Sequence, residues 1–219
     1  MLIVSYLVIM IAAYLLGSLP TGYLAGKIRG VDIRKVGSGN MGATNVFRVL
    51  GRTAGIVVLV LDGLKGYAAC IWLVDLARLW LAVPAEHLET VRIVAGICAV
   101  LGHNYTCWLG FKGGKGIATS AGVYAALAPV SVTISIATWA IAFVLTRYVS
   151  IASIAAAVAL PVAVWLLSSS LLLQIVTTAL GLMAILKHRG NIQRLLKGTE
   201  NRFGNKRPMQ EGTVSTGKP

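Results

Sequence analysis

The amino-acid sequence predicts an all-α fold, a polytopic membrane protein of seven transmembrane helices with its N-terminus outside and its C-terminus cytoplasmic. Three observations predict it. Apolar residues make up 57% of the 219 and charged residues only 12%, with a mean hydropathy of +0.79, so there is too little polar surface to cover a water-soluble globule. Seven apolar runs, at 2–25, 54–81, 91–109, 117–127, 130–146, 151–167 and 171–186, approach the roughly 20 residues that cross a hydrocarbon layer. Basic residues, finally, concentrate in alternate connections between those runs.

No Lys or Arg precedes the first run, and the first basic residue, Lys27, follows it. A secretory signal has the opposite arrangement, so the run is an anchor with its N-terminus outside. Counted from there, the inner connections receive Lys27, Arg29, Arg34, Lys35, Arg48 and Arg52, then Lys112 and Lys115, then Arg147, then a basic tail. The outer ones receive Arg78 and Arg92 together with Asp75, Glu86 and Glu89. The net charge of +13 therefore reflects topology, and a nucleic-acid partner is not expected. A basic inner face attracts membrane lipid of negative charge and anionic substrates.

Within the first run, residues 17–23 (Gly-Ser-Leu-Pro-Thr-Gly-Tyr) predict a kink or a close-packing face. Asp62 and Lys65 in the second run stand at i,i+3, a neutralising pair on one helix face with a structural role. Cys70, Cys98 and Cys107 have neither metal nor redox spacing and read as small packing residues; no metal and no cofactor are expected. The fourth run, 117–127, is too short to span alone and reads as a partial helix covered by its neighbours.

Polar clusters interrupt this pattern on one side of the predicted membrane. Residues 37–48 hold Gly37, Gly39, Gly42, Ser38, Asn40, Thr44, Asn45 and Arg48, and 43–50 reads as helical. Glycines let several backbone N–H groups face one point, a helix N-terminus favours negative charge, and Arg48 adds a forked, permanent one of opposite sign. A second cluster combines Gly102, His103 and Asn104 with Gly113, Gly114 and Lys115 just ahead of a helix. It is no P-loop, because Leu109 stands where that motif needs glycine and Gly116 where it needs Ser or Thr. His103 suits a base, a donor or a satisfied interfacial histidine, and taken alone it reads as the last. Ser150 is expected to cap the next helix, with Ser153 a turn further on. In 187–201, His188 and Asn191 fall one turn apart on one face, with Arg194 continuing the stripe. A single membrane-embedded domain is expected over 1–207, followed by a disordered cytoplasmic tail at 208–219.

Together, 17–23, 37–45, 102–104, 111–116 and 187–192, in this order, resemble the bacterial acyl-phosphate-dependent glycerol-3-phosphate acyltransferase family. The resemblance runs from Gly17 to about Asn201. It implies a seven-helix inner-membrane enzyme, working from the cytoplasmic side, that transfers a fatty acyl group from acyl phosphate to the 1-hydroxyl of glycerol 3-phosphate. The products would be lysophosphatidate and inorganic phosphate, the first acylation of phospholipid biosynthesis. Its implied catalytic residues are Ser38, Arg48, Lys115, His188 and Asn191. Thr44, Asn45, Gly113, Gly114 and Ser153 would bind substrate, and Asn40 and His103, in the same blocks, are expected to do so as well. Acyl phosphate is an activated mixed anhydride, so orientation and charge stabilisation suffice without a covalent acyl-enzyme.

Two rival classes are disfavoured. Acyltransferases that use acyl-CoA or acyl-carrier protein show His, four residues, then Asp; His103, His188 and His87 are followed at that distance by Trp108, Gln193 and Arg92. A transporter for phosphorylated solutes predicts an internal repeat and a midplane site, whereas here the polar groups gather on one side. Acyl-chain preference and oligomeric state are not encoded in any pattern of this sequence.

Overall fold

The structure, a computed structural model, describes residues 1–204, and all regular elements among them are helical. The tail expected from 208 onward lies outside the described residues. The first run divides into α1, Leu2–Ser18, and α2, Thr21–Ile28. Pro20 causes the break, having no N–H to give to the preceding turn. Gly17 supplies the close approach, since a side chain there would strike the backbone of Ala99. The 17–23 patch is thus kink and packing face at once.

Next come α3, Ala43–Leu50, and the second run, which breaks at Ile71 into α4, Arg52–Cys70, and α5, Trp72–Arg78. The third run yields α6, Leu88–Asn104, ending earlier than its apolar stretch because Thr106 donates to the carbonyl of Ser18 at 2.6 Å and turns the chain away. The half-length helix is α7, Ile117–Leu127. It is followed by α8, Pro129–Thr146, α9, Val149–Leu167, α10, Leu171–Lys187, and α11, Arg189–Leu196. By length and composition, 4 helices can cross a membrane, the α1–α2 unit, the α4–α5 unit, α8 and α9; α10 and α11, bent by 51°, make a fifth if they count as one span.

Ser150 does not cap α9. Tyr148 takes the N-cap position and Ser150 lies inside the first turn, where its buried hydroxyl lies beside the Glu200 carboxylate and caps no helix N–H. The helix cap comes two residues earlier than the serine pattern suggests, because Arg147 adopts a left-handed conformation that ends α8.

α1 and α6 run side by side in one direction, Ser5 meeting Ala82 at one end and Ser18 donating to the Gly102 carbonyl at the other. α8 and α9 form an antiparallel hairpin, fastened by Ser135 to the Ala156 carbonyl at 2.9 Å and by Trp139 to Ser153 at 3.2 Å. The core is built largely from small residues, Ala13, Ala95 and Ala99 in one cluster and Val100, Val123, Val132 and Val164 in another. That composition suits helices whose alternative surroundings are lipid tails, where close backbone contact, not water exclusion, drives association. Large apolar side chains such as Ile3, Val144 and Leu166 point outward. Cys70 and Cys98 are buried and all three thiols are free.

Candidate active site

The first polar loop is built around one side chain. Asn45, 1% exposed, donates from Nδ2 to the carbonyls of Ile33 and Val36 at 3.1 and 3.0 Å, and its Oδ1 accepts from the Ser38 N–H at 2.8 Å. All three contacts reach back seven to twelve residues, so the amide stitches the loop to the start of α3. Gly37 and Gly39 hold left-handed backbone (φ +64 and +70), which the curl requires. Asn40 accepts from the Gly42 N–H at 2.8 Å just ahead of α3. Thr44 and Arg48, four residues apart on α3, share a face.

The second loop lies against the end of α6. The Gly114 N–H donates to the His103 carbonyl at 3.0 Å, and a side chain at Gly114 would overlap the His103 ring. Gly113 meets the same carbonyl, so both glycines fix how tightly this loop seats. Just beyond them, the Lys115 ammonium donates to Asn191 Oδ1. Asn191 Nδ2 in turn donates to Glu200 Oε1 at 2.7 Å, and Arg194 Nε donates to Glu200 Oε2 at 2.7 Å. The amide orientation follows from its partners: an ammonium only donates and a carboxylate only accepts. Burial lowers the Lys115 ammonium to about 8; Glu200 opposes that shift, and Arg194 and Arg48 reinforce it. Burial alone would raise the Glu200 carboxyl, but the bonds from Asn191 and Arg194 outweigh it and hold it below the usual range.

His188, 3% exposed, sits at the elbow between α10 and α11. Its Nδ1 lies 2.8 Å from the Ala184 carbonyl, which can only accept, so Nδ1 carries the proton and Nε2 keeps its lone pair.

All the residues expected from sequence to contact substrate, except Gly113 and Gly114, line one cavity of about 510 Å³. Its polar end gathers Ser38, Asn40, Thr44, Asn45, Arg48, Lys115, Ser153, His188 and Asn191, with His103 in the wall. Gly113 and Gly114 sit behind Lys115. The remainder is mostly apolar, lined by Val132, Ile136, Leu160 and Leu180 of the membrane helices. Lys112 is exposed and does not line it. Glu200 was missed by sequence reasoning although it lines the cavity; the available signal was a lone acid in a segment otherwise basic from Lys187 to Arg202. Among the described residues, no three His, Cys, Asp or Glu side chains converge as a metal ion would need.

A cationic pocket at one end of an apolar chamber, enclosed by helices of this length, defines a membrane protein with a chamber polar at one end and apolar at the other. Comparison with known proteins makes that class specific. The sequence profile described as glycerol-3-phosphate acyltransferase matches residues 7–198. The chain is 46% identical over 202 residues to a glycerol-3-phosphate acyltransferase of Geotalea daltonii, covering 91% of this chain and 98% of that relative. It is 48% identical over 199 residues to the one of Geobacter metallireducens, covering 90% and 97%. Its fold is similar, with a TM-score of 0.83 at 40% identity, to the crystal structure of PlsY, an integral membrane glycerol 3-phosphate acyltransferase, in its glycerol 3-phosphate form; the match covers 91% of this chain and 96% of that one. The lysophosphatidic acid form of PlsY matches with a TM-score of 0.81 at 39% identity over the same shares. The chain belongs to the glycerol-3-phosphate acyltransferase family and is a multi-pass membrane acyltransferase.

Proposed function

We propose that the chain transfers a fatty acyl group from acyl phosphate to the 1-hydroxyl of glycerol 3-phosphate, releasing lysophosphatidate and inorganic phosphate. The observation that carries this reading is the meeting of two anion-holding loops, one centred on Arg48 and one on Lys115, at the mouth of a single apolar chamber. Two phosphorylated substrates, one with an acyl chain, need that combination. The acceptor hydroxyl oxygen attacks the acyl carbonyl carbon, the bond from that carbon to the phosphate oxygen breaks, and phosphate departs with the bonding pair. Lys115 and Arg48 offset the growing charge on the departing phosphate, while His188 and Asn191 orient the acceptor and Ser38 stands in the same polar wall. The hydroxyl proton has two acceptors in reach of this arrangement, a substrate phosphate or the free Nε2 of His188. Thr44, Asn40 and Ser153 complete the polar wall, and Asn45, Gly113 and Gly114 hold the loops in shape.

Radiolabelled glycerol 3-phosphate given to the purified protein with acyl phosphate is expected to enter a lipid product without any membrane gradient. Strong product formation from acyl-CoA in the absence of acyl phosphate would sink the donor assignment.

Seven crossings, an outside N-terminus and an active site on the cytoplasmic face of the bacterial inner membrane belong to the same proposal. The parallel course of α1 and α6 supports it, as does the placement of Lys27 through Arg52, Lys115, Arg147 and Lys187 around one end of the bundle. In right-side-out vesicles of a Cys107→Ser background, Glu86→Cys is expected to react with an impermeant thiol reagent and Lys197→Cys to be shielded. The reverse pattern would invert the topology and move the site to the other side.

A further inference from the structure

The helix break at 17–23 and the Asp62–Lys65 pair have no part in the reaction described, yet the fold joins them. Because α1 stops at Ser18, the Leu19 carbonyl is left outside a continuous helix and accepts from Lys65 Nζ at 2.9 Å. The same break turns Thr21 toward α4, where its hydroxyl donates to Asp62 Oδ1 at 2.6 Å. Lys65 Nζ lies 2.8 Å from that oxygen and His103 Nδ1 lies 3.5 Å from it. Asp62, Lys65 and His103 are 2%, 5% and 7% exposed, so water does not share these contacts.

His103 faces two ways. One ring edge looks at Asp62; the Nε2 edge lies against Gly114, and the carbonyl of the same residue takes the Gly114 N–H. The next residue, Asn104, places its side-chain oxygen where a side chain at Gly116 would come within 2.8 Å. A carboxylate in the wall of a phosphate pocket is an electrostatic liability unless a buried cation balances it, and Lys65 is that cation. Asp62 therefore has no use as a ligand for an anion; Thr21 and Lys65 hold its Oδ1 in place, and the same oxygen faces His103, which packs against the loop.

We infer that Asp62 is a positioning residue, which acts through His103 to seat Gly113 and Gly114 and so to aim the Lys115 ammonium, with Lys65, Thr21 and the broken helix as its brace. The inference rests on the proposed role of Lys115 as a phosphate holder.

A double-mutant cycle in kcat/KM against Lys115→Ala separates aiming from general stability. Asp62→Asn combined with Lys65→Met removes both charges together, so that neither is left buried alone. In the wild-type background the pair is expected to cost about tenfold or more, and in the Lys115→Ala background less than about threefold, because the group it aims is already gone. Losses that multiply independently would overturn the inference. Should that pair fail to fold by its detergent melting curve, His103→Asn keeps a donor toward Asp62 while removing the ring edge behind Gly114, and the same cycle applies. Acetylation of Lys115 by acetic anhydride gives a readout that needs no activity. Its pH dependence, which in the wild type follows an ammonium lowered to about 8 by burial, is expected to shift toward the ordinary lysine range in either variant as Lys115 is displaced from Asn191, and an unshifted profile would overturn the inference. A wild-type chain that transfers no acyl group would fail the proposed function alone, leaving the labelling to judge the positioning.

Discussion

Lys115→Ala is expected to lower kcat/KM at least about tenfold. A charge-assisted contact contributes about 1.5–3 kcal/mol, each 1.4 kcal/mol is about a factor of ten, and charge developing on a departing phosphate makes the contact worth more in the transition state. The ammonium is held by Asn191, which Glu200 holds in turn, so its loss also removes the partner for which the amide is oriented. Lys115→Arg is expected to rescue only in part, since a planar fork does not fit a site built for a compact ammonium in front of Gly113 and Gly114. The pH profile gives an independent check. With the ammonium lowered to about 8, the anion-holding form is present below that pH and is lost as pH rises through it. The wild-type kcat/KM is therefore expected to fall on the alkaline side near 8, and the residual activity of Lys115→Arg to lack that limb. Lys112→Ala, exposed and outside the cavity, is expected to lose little, and that loss to shrink with added salt. Near-normal kinetics for Lys115→Ala, with an unaltered melting curve, would make the second loop a mere connector.

Asn45→Asp is expected to be the most damaging near-isosteric change in the first loop. Two donors facing the Ile33 and Val36 carbonyls become acceptors, and each reversed contact costs about 1–3 kcal/mol. Asn45→Ala loses the same bonds without the repulsion and is expected to be milder. Because the same amide holds the Ser38 N–H, the loop carrying Ser38 and Asn40 unravels first, and kcat/KM falls by about thirtyfold or more before the helices melt. Wild-type kinetics for Asn45→Asp would show that the loop is shaped by its glycines alone.

Hydropathy made the helices legible because it is a local property. The partial helix at 117–127, the helical 43–50 and the weak point at 17–23 all appear where composition puts them. Asp62 and Lys65 were readable as a pair because i,i+3 spacing is set by one helix, whereas the Leu19 carbonyl, Thr21 and His103 reach them from other segments. Motif resemblance located the residues that gather round the cavity, but not the division of labour among them. Nothing in Asn45 as a letter says that its amide is consumed by its own loop. Glu200 was passed over since an acid in a basic stretch reads as ordinary charge balance, and only folding shows that it is buried beneath Asn191 and Arg194. Ser150 failed as a cap because a neighbouring left-handed residue, Arg147, set where the helix starts.

The segment around Glu200 has a consequence for the order in which the protein is made. Glu200 holds Asn191 and Arg194, the Phe203 N–H donates to the Arg147 carbonyl at 2.8 Å, and the Phe203 ring wedges between Phe47 and Phe143 with centroids 5.5 and 5.3 Å apart. The loop at 37–48 thus leaves the ribosome early but waits for nearly the whole chain before its counterpart arrives. A nascent or stalled chain that ends before Asn191 holds Lys115 without the amide and carboxylate that orient it. Copies that stop short of Glu200 are therefore expected to be inactive, since the contacts that aim Lys115 form only once translation has passed it.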